Sequence, residues 1–200
     1  IQLLKVRYAD NKELVEGFGA VLRAVNDGAQ ISRGMLTFTR TEKDNTDFEP
    51  DDICDLINQS IDFTMPRWKN EAQAKGINYQ MNTEEMKRVS SILCNPTEIR
   101  EVFINIIYNA LDAMPGGGSL SISTCCVEGN VFVGISDTGE GMSEYVKKNM
   151  FDPFFTTKTP VGTGLGMSMA YGIITRHGGR IEVKSEIGKG STFTLQFPAT

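Results

Sequence analysis

The chain of 200 residues reads as an α/β fold, a two-layer sandwich with helices on one face of a sheet, preceded by a helical region. Three observations lead there. Apolar residues recur at helical spacing in several segments, period-two strands come in pairs joined by glycine-containing turns, and the two kinds of segment mix along the chain.

Leu14, Phe18, Val21 and Val25 follow 4-3-4 spacing, and Leu22, Ala29 and Leu36 add a second stripe one heptad apart. This predicts an amphipathic helix entered from a turn at Asp10-Asn11. Gly17, Gly19, Gly28 and Gly34 fall inside it, each costing roughly 1 kcal/mol relative to Ala, so the helix needs a packing partner from this chain or a second one. Residues 41–50 (TEKDNTDFEP) are polar and read as a linker. The expected division is therefore a helical part, 1–45, and a second domain, 46–200.

Asp51 and Asp52 open a helical pattern through Ile53, Leu56, Ile57 and Ile61, with a kink at Pro66 and an end at Gly76. Residues 77–81 and 89–93 are short strand-like runs. Asn95-Pro96-Thr97-Glu98 is a helix start, with Asn as N-cap, Pro at the first helical position and Glu at N3. That helix runs to about Met114 and stops at Pro115-Gly116-Gly117-Gly118. Residues 119–126 and 130–136 bracket Glu128-Gly129 as a β-hairpin. Ser143 caps a short helix to Met150, and residues 165–177 form another, closed by Gly178-Gly179. Residues 180–185 and 192–197 make a second hairpin across Ile187-Gly188-Lys189-Gly190.

Composition narrows the function classes. Hydrophobic residues at 40% and charged residues at 22% are an ordinary globular balance. Lys+Arg 20 against Asp+Glu 25 leaves a net charge of −5, which lacks the broad positive field of a nucleic-acid binder. Apolar runs such as 102–104 are far too short to form a membrane segment. Cys54, Cys94, Cys125 and Cys126 show no CxxC spacing, which suits reduced thiols in a cytoplasmic protein rather than a disulfide frame or zinc site. A chain opening on Ile1 without a signal peptide reads as part of a longer protein.

Four segments carry chemistry. Glu101, Asn105 and Asn109 stand at i, i+4 and i+8 on one face of an otherwise apolar helix. Carboxamides there are costly to bury without partners; they serve either as helix-to-backbone hydrogen bonders or as neutral oxygens for Mg²⁺. Asp137-Thr138-Gly139-Glu140-Gly141 follows a strand, either as an Asx turn or as a carboxylate presented to an adenine amino group beside glycines that admit a ligand. Gly162-Thr163-Gly164-Leu165-Gly166 opens a helix and offers backbone N–H groups to phosphates. Its spacing meets neither the Walker nor the Rossmann pattern. Between them, Phe151-Asp152-Pro153-Phe154-Phe155-Thr156-Thr157-Lys158 reads either as core aromatics or as a lid whose Lys158 reaches a γ-phosphate.

In this order the segments resemble the ATP-binding domain of sensor histidine kinases, in the GHKL class shared with gyrase-type, chaperone and mismatch-repair ATPases. NIIYNALDA (105–113) is similar to the N box, DTGEGM (137–142) to the first glycine box, and FDPFFTTK (151–158) to the F box. GTGLGMSMAYGI (162–173) is similar to the second glycine box and GKGSTF (188–193) to the last glycine segment. The resemblance covers about residues 46–198 and implies a mixed sheet, the remnant of a helical hairpin before it, and ATP and Mg²⁺ as cofactors. It implies that Asn109 ligates Mg²⁺ and that Asp137 reads adenine, with Gly139, Gly141 and Met142 beside it. Phe155, Thr156, Thr157 and Lys158 would belong to the lid, Gly162, Thr163, Gly164, Leu165 and Gly166 to the phosphate cradle, and Thr192 to the last segment of the nucleotide site. Asn105 and Lys158 are the implied catalytic positions.

GMLTFTR (34–40) resembles the end of the second helix of the dimerisation and phosphotransfer hairpin. The resemblance implies a homodimer in the intact protein, a response regulator receiver domain as partner, and a phosphoacceptor histidine upstream of Ile1. The one histidine here, His177, reads as a helix-end residue complementing the dipole, so this chain is not expected to phosphorylate itself.

Asn105 separates the readings. Resembling ATPases carry a glutamate at this position to deprotonate water, and an amide cannot act as that base. Asn105 therefore favours transfer of the γ-phosphoryl to a histidine, a nucleophile already neutral near pH 7; Glu101, a further turn back, is the substitute base but is expected to face the helical domain. The alternatives are a nucleotide-binding regulatory module without chemistry, or a GHKL-type ATPase.

Overall fold

A computed structural model describes residues 48–74, 76–158 and 162–200, together with Asn11, Leu14, Gly17, Phe18, Val21, Val25 and Gly28. Most of the expected N-terminal helix, residues 41–47 of the expected linker and residues 159–161, between the lid and the glycine loop, lie outside the described residues. Of the N-terminal positions described, all but Asn11 are helical. The Asn11 Oδ1 accepts a 3.1 Å hydrogen bond from the Leu14 N–H, as the expected turn requires. No helix among the described residues is long and apolar enough to cross a membrane.

The linker expectation fails at its C-terminal end. Glu49–Asp51 is a short strand, β1, pairing antiparallel with β3, Ile92–Cys94. The pairing partner lies some forty residues downstream, so local polarity gives no hint of it. Helix α1 (Ile53–Met65) follows, capped by the Asp52 carboxylate, which accepts from the Cys54 N–H at 2.8 Å. The regular α-helix gives way at Pro66, the expected kink: Pro66 opens a π-helical turn, Pro66–Glu71, and Gly76 then adopts φ +73°.

Strand β2 (Tyr79–Met86) starts later and runs further than its apolar pattern predicts, because its partner is β4 (Gly118–Val127), paired in parallel. Helix α2 (Pro96–Asp112) lies between β3 and β4, and Asn95 Oδ1 accepts from both the Thr97 and Glu98 N–H groups. β5 (Asn130–Asp137) returns antiparallel from β4 across Glu128 and Gly129, both at positive φ. α3 (Glu144–Asn149) is capped by Ser143, and α4 (Gly166–Arg176) ends at His177 and Gly178. β6 (Arg180–Glu186) and β7 (Gly190–Pro198) form the last hairpin, and β7 inserts beside β5.

The five-stranded sheet thus runs β2-β4-β5-β7-β6, mixed as expected. One face is apolar: Leu120, Ile122, Val131, Val133, Ile135, Phe193, Leu195 and Phe197 alternate inward and meet Ile57, Phe103, Ile106, Ile107, Ala170 and Ile174 of the helices in one buried cluster. Burying a large apolar side chain is worth about 1.5–3 kcal/mol each, which holds α1, α2 and α4 on that single face. The opposite face carries Ser121, Ser123, Ser136, Thr192, Thr194 and Gln196, none of them fully buried.

His177 stands at the end of α4 as expected, but as a buried, neutral group rather than a cation complementing the dipole. Its ring is buried, its Nδ1–H donates to the Ile173 carbonyl at 2.7 Å, and its Nε2 accepts from the Asn95 N–H at 3.1 Å. The Phe48 ring stacks on it at 4.2 Å. Burial pushes its pKa below the ordinary value, so a neutral imidazole ties the end of α4 to the start of α2.

Candidate nucleotide site

Between α2, α4, the ends of β5 and β7 and residues 142–158 and 162–167 lies a cavity of about 910 Å³, within the size range of small-molecule sites. α2 contributes Asn105, Tyr108, Asn109 and Asp112, and β5 contributes Asp137. Gly141, Met142, Phe155, Thr156, Thr157, Lys158, Gly162, Thr163, Gly164 and Gly166 line the rest. Thirteen expected site residues therefore share one wall or another of a single cleft, counting Asn105, Asn109 and Asp137 with these ten.

Asp137 is 7% exposed. Its Oδ1 accepts from the Gly139 N–H at 2.8 Å and the Ser191 N–H at 3.3 Å. Burial raises its pKa above the ordinary carboxylate value, against the opposing pull of those two donors. Its Oδ2 takes no hydrogen bond among the described residues. The Asx turn and the presented carboxylate are thus compatible: one oxygen builds the turn, and the other is left for a donor from the cavity.

At the α2 wall, Lys158 reaches across from the 151–158 segment. Its Nζ donates to Asn109 Oδ1 at 3.0 Å and to Asp112 Oδ2 at 2.8 Å. These oxygens are therefore accessible to a cation, as a Mg²⁺ site requires of its protein ligands. The Asn105 Nδ2 is buried without a hydrogen-bond partner among the described residues, an expensive arrangement that a polar ligand relieves. Both observations fit a metal-bound triphosphate.

Three expected residues stand apart from the cavity lining. Gly139 serves through its N–H on Asp137. Leu165 is 2% exposed and sits at the N-cap position of α4. Thr192 requires a correction: its hydroxyl bonds Ser136 at 2.8 Å on the other face of the sheet, and Ser191 and Phe193 line the cavity instead. Side chains alternate along a strand, so a displacement of one residue reverses the face.

Two of the glycines also let protein backbone approach closely. A Cβ at Gly141 would meet Glu186 O at 2.0 Å, and one at Gly164 would meet the Phe154 carbonyl carbon at 2.4 Å. At these positions neighbouring backbone closes the loops on each other, while both residues still line the cavity. Phe154, itself at φ +68°, donates its N–H to the Gly164 carbonyl at 2.9 Å.

Arg67, Asp112 and Ser191 escaped the sequence reading. Asp112 follows Asn109 by three residues, one turn along the same helix, a spacing that local inspection can find. Arg67 comes from the π-helical turn, 45 residues away from Asp112, and no periodicity connects them.

The family model of the histidine kinase-, DNA gyrase B- and HSP90-like ATPases matches residues 94–200. The chain belongs to this family. Sporulation kinase E of Bacillus subtilis (strain 168) is 36% identical over 152 residues, covering 76% of this chain and 20% of that protein. Among solved structures, the catalytic domain of the histidine kinase ThkA superposes with TM-score 0.64 at 28% identity, covering 76% of this chain and 96% of that one. ThkA in complex with the response regulator protein TrrA matches with TM-score 0.68 at 22% identity, over 94% of this chain and 51% of that one. The chain thus spans about a fifth of the length of sporulation kinase E. Its mixed sheet with helices on one face is the ATP-binding catalytic domain of the sensor-histidine-kinase type, as the five boxes imply.

Proposed function

We propose that this chain is the kinase part of a larger cytoplasmic assembly that binds Mg²⁺·ATP and transfers its γ-phosphoryl to a histidine. The observation that carries the reading is the convergence of Asn109 and Lys158, 3.0 Å apart, in the cavity that also holds buried Asp137. Asp137 accepts a hydrogen bond from the adenine amino group. Asn109 supplies a carbonyl oxygen to the metal, and Lys158 moves from Asn109 to the phosphates. When bound, Mg²⁺ neutralises charge on the phosphate oxygens.

The acceptor lies on a helix of the dimerisation hairpin, to which residues 1–45 belong, in a homodimer. Its imidazole nitrogen forms a bond to the γ-phosphorus as the bond to the bridging oxygen breaks, ADP leaves, and the ring proton goes to solvent. Relay to an aspartate of a response regulator receiver domain follows, a partner supported by the shared fold with ThkA, which was crystallised with TrrA. Asn105 lacks the basicity to activate water, and Glu101 is not among the residues lining the cavity, so hydrolysis is disfavoured.

The test supplies γ-labelled ATP, Mg²⁺ and a separate acceptor hairpin to the chain. Label on the hairpin that is lost in acid and kept in alkali is the expected result, absent in Asn109→Ala. Labelled inorganic phosphate without labelled hairpin would make the chain an ATPase, and nucleotide binding without either would make it a regulatory module.

A further inference from the structure

At the phosphate end of the cleft, one carboxylate is shared by two cations from distant parts of the chain. Asp112 Oδ1 accepts from Arg67 Nη2, and Asp112 Oδ2 accepts from Lys158 Nζ at 2.8 Å. Both cations line the cavity, and Lys158 also touches Asn109. The Arg67 guanidinium is steadied from below by the Tyr108 ring, with Cζ 4.9 Å from the ring centroid, a cation–π contact. A guanidinium has five N–H donors, so the bond to Asp112 leaves most of them available. Arg67 is aimed at this point by the π-helical turn that begins at Pro66, and such turns are frequent at functional sites.

An exposed ion pair contributes little to stability, so the cluster is poorly explained as a fold-holding device. Two cations gathered on one carboxylate beside Asn109 have a different use. We propose that Arg67 is a terminal-phosphate contact, and that Asp112 is an anionic placeholder holding Arg67 and Lys158 at the mouth until nucleotide arrives. The inference rests on the nucleotide reading of the cavity. A triphosphate presents more negative charge at this end than a diphosphate. It draws both cations off Asp112, and the arginine fork takes up phosphate oxygens in bidentate geometry. Arg67 thereby distinguishes ATP from ADP, while Asp137 distinguishes the base.

The experiment measures Mg²⁺·ATP and Mg²⁺·ADP affinities by isothermal titration calorimetry on the 200-residue chain, on Arg67→Gln and on Asp112→Asn, with melting of each free protein as a fold control. Arg67→Gln is expected to weaken ATP about tenfold, as loss of one charge-assisted hydrogen bond does, while ADP changes less than about twofold on the same scale. Asp112→Asn removes the competitor and is expected to tighten ATP several-fold more than ADP. Equal weakening of ATP and ADP by Arg67→Gln, or no change in either, overturns the assignment. Should Arg67→Gln melt early, Asp112→Asn decides: weaker ATP and ADP in its presence would make Asp112 a metal ligand and refute the placeholder. If the unaltered chain binds neither nucleotide, the nucleotide reading itself falls, a result distinct from both.

Discussion

Replacing Asp137 by Asn tests the base-reading role with little disturbance of the fold. The side chain keeps its shape, and its remaining carbonyl oxygen can still accept from the Gly139 and Ser191 N–H groups, now 2.8 and 3.3 Å from Oδ1. What changes is the second position, where a carboxylate oxygen becomes an NH₂ group. An adenine amino group then meets a donor instead of an acceptor. A hydrogen bond to a charged partner contributes about 1.5–3 kcal/mol, so ATP affinity should fall between about tenfold and a hundredfold. Guanine presents an oxygen acceptor at the corresponding edge, so the GTP-to-ATP ratio should rise.

The free protein should respond in the opposite direction. Burial raises the Asp137 pKa in the folded state, so its contribution to stability is full below the unfolded value, about 3.9, and is lost as pH rises through the folded value. Near pH 7 the charged group is therefore a liability to the empty fold, and Asp137→Asn should melt no earlier than the parent. Calorimetric titrations with ATP and GTP, paired with melting curves at pH 7, check both halves. Unchanged ATP affinity in the variant, or equal affinity of the parent for ATP and GTP, would refute the assignment; an early melt with proportionate loss of both nucleotides would show that Asp137 acts through the loop alone.

Two further outcomes are expected. His177 has a depressed folded pKa, because burial, assisted by Arg176, outweighs the Ile173 carbonyl and Glu98; its stabilisation is present above the unfolded value of about 6.5 and is lost as pH falls through the folded value. Melting temperature should accordingly drop on acidification from pH 7 to 5, and His177→Asn, though less stable at pH 7, should flatten that slope; an unchanged slope would remove the joint from the account. Asn105→Glu places a base one turn before Asn109, and positioned bases are worth about 10²–10⁴-fold; steady-state phosphate release should rise at least about tenfold on that scale, and a variant that binds ATP without faster release would show that water, rather than the base, is missing.

Local chemistry shows plainly in much of the chain. The Asn95-Pro96-Thr97-Glu98 start is matched by α2, whose N-cap side chain bonds two backbone N–H groups. Glu128-Gly129 joins β4 to β5 because both residues take positive φ. The hairpin β6–β7 and the helix opened at Gly166 stand close to where their turn residues predict. Each of these signals is short-range, acting over a turn or a strand pair.

The discrepancies share the opposite property. β1 has polar residues and becomes a strand only because Ile92–Cys94 lies alongside. β2 takes its length from a parallel partner reached through an intervening helix. Thr192 and Ser191 differ by one residue, and the sheet's register, not composition, sends Ser191 to Asp137.

Side-chain periodicity and capping chemistry are written into consecutive residues, so helices and hairpins could be read without coordinates, and the Asn109 and Asp137 boxes from their resemblance to the family. The meeting of Arg67, Asp112 and Lys158 could not. It depends on a π-helical turn, the packing of α1 against α2 and the return of the 151–158 segment over the cleft, and contacts between residues 45 and 46 positions apart follow from how apolar faces stack in three dimensions rather than from any spacing along the chain.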